Sequence, residues 1–112
     1  MTENQRILTA LRDHQDDMVA DLVRLVEMES PSDNKSALDR LGEHLATRLR
    51  QMDADVTIVE QEKKGNHIRA RWGWDSGSAS DAILVLCHMD TVWDMGTLAQ
   101  RPVRVQDGIL HG

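Results

Sequence analysis

The sequence has neither phenylalanine nor tyrosine beside its three tryptophans, an imbalance for which we have no physical account. Cysteine is limited to Cys87. One thiol cannot close an internal disulfide, which excludes a stapled secreted scaffold and a cysteine-rich zinc module and is compatible with a reducing cytoplasm. No apolar stretch approaches the ~20 residues of a membrane span. The polar opening "MTENQRILTALRDHQDDM" also lacks the apolar centre of a signal peptide. Positive charge is scarce, with 13 basic against 19 acidic residues and a formal charge of -6. A phosphate backbone would be repelled, so nucleic acid is not an expected partner, and without an apolar span neither is a membrane. Repeats, low-complexity tails, a glycine-rich phosphate loop and a G-x-S-x-G elbow are absent as well.

What is present fits one domain at most, or a piece of one, since 112 residues bury only a modest core. From Asn4 to Met28 the apolar residues Ile7, Leu8, Leu11, Met18, Leu22, Leu25 and Val26 recur at three- and four-residue steps. That period predicts one amphipathic helix with a face laid on a core. Pro31 disfavours helical geometry at Ser30, and Ser32, Asp33 and Asn34 offer caps for a second helix running to about Met52. Its stripe is Ala37, Leu38, Leu41, Leu45, Leu49 and Met52. The segments "DVTIVEQ" and "NHIRARWG" flank "EKKG" and predict a strand pair with Gly65 in the turn. "GWDSGSAS" reads as an exposed loop. The unbroken run Ile83 to Cys87 is too short for a helix and predicts a strand covered on both faces. "PVRVQDGILHG" gives two short strands about an Asp107-Gly108 turn. The order indicates an α/β layered domain, a helix-flanked and mostly parallel or mixed sheet that is incomplete within residues 1–112.

The chemistry-bearing candidates are His88 and Asp90 in "HMDTV". A histidine two residues before an aspartate is a weak motif by itself, and the chain repeats it at His14 and Asp16. On a helix those two positions diverge by ~200° and cannot cooperate. At the end of a strand, alternate side chains share a face, and ligands of open α/β sheets collect there. A neutral imidazole can then offer one nitrogen to a metal while the carboxylate accepts a hydrogen bond from the other. The bland alternative is a histidine capping a strand and an aspartate starting a turn. Cys87 is expected to be a small buried hydrophobe. His111 reads as a strand-end surface residue, and His44 and His67 carry no chemistry.

The surroundings of His88 extend the motif. "HMDTV" is preceded by an apolar strand and followed by "WDMGTLAQRPVRVQDGILHG", and the combination resembles the first metal-site segment of the M20 family of zinc-dependent metallopeptidases, especially its glutamate carboxypeptidase-like branch. The supporting positions are Gly96, Thr97 to Ala99, Pro102 with Val103, Asp107 with Gly108, and Gly112, together with "SPS" at Ser30 to Ser32. The resemblance covers nearly the whole chain and is most specific from Ile83 onward. It implies a zinc-peptidase catalytic domain in which His88 is a zinc ligand and Asp90 the acid that orients it.

The family uses two zinc ions, a bridging carboxylate and a glutamate general base, and none of these further groups can be assigned within the chain. Asp94 and Asp107 do not occupy the family's ligand places. Catalytic zinc needs three protein ligands, an open position for water and a base. The resemblance therefore implies the N-terminal part of a cytoplasmic carboxypeptidase or amidohydrolase, inactive alone. Its implied substrate is a small peptide or N-acyl amino acid. The family's lid or dimerisation domain, and with it a homodimer, would belong to the rest of the protein. The rival expectation is a small non-catalytic α/β binding or interaction module.

Overall fold

The structure is a computed structural model describing residues 1–73 and 81–112, so the expected "GWDSGSAS" loop lies, apart from Gly73, outside the described residues. The elements in chain order are α1 (Glu3–Asp13), α2 (Gln15–Val26), α3 (Lys35–Gln51), β1 (Asp55–Val59), β2 (His67–Arg71), α4 (Thr97–Gln100), β3 (Arg104–Gln106) and β4 (Ile109–His111). They form a mixed α/β arrangement with two two-stranded antiparallel sheets. Two compact units divide them: residues Glu29–Met95, and residues Met1–Met28 with Gly96–Gly112.

In the Glu29–Met95 unit α3, expected from the sequence as the second helix, begins where its cap chemistry places it. The Asn34 side chain accepts a 3.0 Å hydrogen bond from the Ala37 backbone N–H, satisfying one of the donors that a helix start leaves open. The helix ends in a pair of backbone bonds, Asp53 N–H to Arg50 C=O and Ala54 N–H to Leu49 C=O. This Schellman geometry needs a left-handed residue, and Asp53 takes it with φ 62°. Ala37, Leu38, Leu41 and Ala46 are buried and make the apolar core. The helix packs on the β1–β2 hairpin, whose register pairs Ile58 with Ile68.

The connection between those strands is pinned from both sides. Asn66 receives Lys35 Nζ and the Gln61 N–H on its side-chain oxygen, and its own N–H donates to Asp39. Lys35 and Asp39 pair at 2.8 Å. Gly65 is buried beside them, so close to α3 that a Cβ there would stand 2.6 Å from Leu38 Cβ.

In the other unit the expected single N-terminal helix is two. It breaks at His14, which leaves helical geometry with φ -99° and ψ 9°. Six consecutive polar residues, Arg12 to Asp17, interrupt the apolar stripe there. Asp13 also sits at helical spacing from Asp16 and Asp17, where like charges repel. Restarting after His14 puts Asp16 and Asp17 in a first turn, the end that favours negative charge. The stripe does not enter a core: Ile7, Leu8, Leu11, Met18 and Leu22 are all exposed. The β3–β4 hairpin matches the sequence expectation, with Asp107 and Gly108 both at positive φ. That is the type I′ turn suited to a two-residue hairpin loop.

One further expectation is corrected. Ile83 to Cys87 makes no ladder among the described residues, and Ile83 to Leu86 are 79–91% exposed. A strand buried on both faces requires hydrogen-bonded neighbours and covering helices; among the described residues none pairs with it. Cys87 is accordingly exposed rather than buried.

Candidate metal centre

The segment around His88 is held from the far side of the sequence. Ser30 and Thr91 share a backbone bond of 2.8 Å, and the Ser32 N–H donates to Thr91 C=O at 3.1 Å. Together these form a parallel bridge centred on Pro31 and Thr91. The Ser30 hydroxyl donates to Met89 C=O at 2.8 Å, which satisfies the only buried polar side chain among the described residues. "SPS" is thus a short docking strand for "HMDT", and its proline removes a donor at the position that an isolated bridge leaves spare.

That docking presents His88 and Asp90 together. His88 Nδ1 lies 3.1 Å from Asp90 Oδ1 and 3.0 Å from the Asp90 carbonyl oxygen. Both neighbours are acceptors, so Nδ1 must carry the ring proton. In the neutral ring this leaves Nε2 as the coordinating nitrogen, on a side chain that is 83% exposed. The Asp90 carboxylate is bonded at its other end too, since Ser32 Oγ donates to Oδ2 at 2.6 Å. The Ser32 hydroxyl is the main influence holding the Asp90 carboxyl below the usual carboxylate range. Partial removal from water opposes it, and the His88 hydrogen bond adds to the lowering.

Both sequence-derived site residues are therefore adjacent, and the exposed His88 ring meets the solvent rather than a dry interior. The Ser32 contact was not foreseen. Ser32 read as a helix cap, a role the structure gives to Asn34. An open depression of about 320 Å³ adjoins this segment, lined by Pro31, Ser32, Asp33, Lys64, Thr91, Val92 and Asp94. His88 and Asp90 do not line it.

The other candidates stand apart. His14 pairs with Asp17 at 3.5 Å, not with Asp16. His67 and His111 are exposed strand residues and His44 lies half-buried on α3. Among the described residues no three His, Cys, Asp or Glu side chains gather closely enough to hold a metal ion. The donor chemistry around His88 fits one zinc ligand and not a complete site. No helix among the described residues is long and apolar enough to cross a membrane. No family model, curated protein or solved structure matches the chain.

Proposed function

We propose that this chain is the N-terminal part of an M20-type zinc-dependent carboxypeptidase or amidohydrolase, acting in the cytoplasm on small peptides or N-acyl amino acids. The observation that carries the reading is the 3.1 Å contact of His88 Nδ1 with the Asp90 carboxylate, with Nε2 left on an exposed ring. An imidazole oriented by a carboxylate in this way is the usual form of a zinc-ligating histidine. His88 would supply one ligand, and Asp90 holds its tautomer and direction. Bound zinc supplies an acidified water and polarises a carbonyl. The remaining ligands for two ions and the general base would come from other segments, which would also complete a parallel or mixed sheet around Ile83 to Cys87.

The exposed apolar run supports the same reading, because a central strand of such a sheet would look like this without its neighbours. It also lends weight to a second reading, a non-catalytic module that docks a partner through Ile83 to Leu86. Zinc content and hydrolysis separate the two. The chain alone should retain no tightly bound, stoichiometric zinc, His88 by itself binding a metal only weakly, and should hydrolyse nothing. Joined to the segments carrying the other ligands it should hold up to two ions and cleave N-acyl amino acids, with both properties reduced by His88→Ala. Partner binding insensitive to His88→Ala, with no zinc under either condition, would favour the docking module.

A further inference from the structure

The carboxylate that steers His88 has a weakness of its own. An aspartate's terminal torsion is broad, with no sharply preferred angle, so a carboxylate anchored at one oxygen can swing and carry its partner with it. Asp90 is anchored at both. Oδ1 faces His88 Nδ1 at 3.1 Å and Oδ2 receives the Ser32 hydroxyl at 2.6 Å, from a residue 58 positions earlier in the chain. The Ser32 hydroxyl has one proton and two acceptors in reach, Asp90 Oδ2 and the Thr91 carbonyl oxygen at 3.1 Å. The shorter, charge-assisted bond takes it. The serine itself cannot drift, because its backbone N–H is bonded to Thr91 and the preceding Ser30 is tied to Met89 and Thr91.

We infer that Ser32 is a positioning residue: by fixing the plane of the Asp90 carboxylate it sets the direction of the His88 ring and, together with the Asp90 carbonyl oxygen 3.0 Å from Nδ1, its tautomer. The chain of contacts runs Ser32, Asp90, His88, and ends at Nε2. The Ser32 hydroxyl is bonded to Asp90 and Thr91 and makes no hydrogen bond to the imidazole, so it acts on Nε2 only through Asp90. The consequence for a metal rests on the function proposed above, whereas the consequence for the ring does not. Partners of this kind commonly alter metal affinity 10- to 100-fold when removed.

The test reads the ring directly. In the full chain labelled with ¹⁵N, ring-nitrogen shifts of His88 report which nitrogen bears the proton in the neutral form. The parent protein should show the Nδ1–H form alone. Ser32→Ala leaves the Asp90 carbonyl oxygen as the one fixed acceptor of Nδ1–H, so the Nε2–H form should appear beside a still larger Nδ1–H population, and Ser32→Thr should remove it because it returns the hydroxyl. Ser30→Ala is the control, since it removes a bond of the same docking strand without touching Asp90, and it should leave the tautomer unchanged. A Ser32→Ala protein with the parent's signature, or a Ser30→Ala protein shifted equally, would overturn the inference. Titrating the same proteins with Co²⁺ separates the two readings. Cobalt should perturb His88 in the parent about tenfold more tightly than in Ser32→Ala. Tautomer changes as described with no cobalt effect would uphold the role of Ser32 on the ring and count against the metal.

Discussion

Replacing Gly65 with alanine should destabilise the Glu29–Met95 unit by about 1–2 kcal/mol. The added methyl would sit 2.6 Å from Leu38 Cβ, 3.0 Å from its Cδ1 and 3.3 Å from its Cγ. The nearest of these is fixed to the α3 backbone and cannot rotate away, so either the helix or the β1–β2 connection must shift. Gly65 is not among the glycines at positive φ, so the perturbation is steric and not conformational. Overpacking of this kind costs roughly 1–3 kcal/mol. The loss of glycine's freedom in the unfolded chain returns roughly 0.4–1 kcal/mol. The difference should lower the thermal midpoint by about 5–10 °C, measured by far-UV circular dichroism and by urea titration. Leu38→Ala removes Cγ and Cδ1 but keeps Cβ. In the double mutant the two costs should therefore sum to less than their total without cancelling. Unchanged or raised stability in Gly65→Ala, or strict additivity with Leu38→Ala, would refute the close approach.

Three other outcomes follow from the same structure. Asp53 holds a left-handed φ at the end of α3, so Asp53→Gly should raise stability by about 0.5–1 kcal/mol in urea titration; a loss would deny the Schellman ending. Asp39 has its carboxyl held below the usual range, first by the Lys35 ammonium and then by the Asn66 N–H, against partial removal from water. The unfolded chain then binds its proton more readily, so this stability is present above the usual carboxylate range and is lost as pH falls through the lowered value. Urea midpoints from about pH 6 down to about pH 2 should drop less steeply in Asp39→Asn. The exposed run Ile83 to Leu86 should cause self-association visible by light scattering, and Leu84→Lys with Leu86→Lys should suppress it; equal scattering by both proteins would point to another surface.

Local features were legible in the sequence because their causes are local. The cap at Asn34, the strands on either side of Gly65 and the Asp107-Gly108 turn each follow from residues within a few positions of one another. Apolar periodicity also located the helices, but it states only which faces would gain from burial. Whether a covering partner exists is not written in the stripe, and so Ile7, Leu11, Leu22 and the Ile83 to Leu86 run were expected inside and lie exposed. The break at His14 was a competition between apolar period and a polar, acidic stretch, and the stretch won. At the site, the His88 and Asp90 pairing was legible because two residues of extended chain share a face. The Ser32 bond was not, because it joins positions 58 apart; the repeated serines of "SPS" were its only trace.

The most direct test of the central claim is a zinc titration of the full chain read at the ring nitrogens of its five histidines. Zinc should perturb His88 ahead of His14, His44, His67 and His111, at Nε2 and not Nδ1, and Asp90→Asn should weaken the effect at least about tenfold. Perturbation at Nδ1, no preference for His88, or indifference to Asp90→Asn would contradict a zinc ligand held by its neighbouring carboxylate.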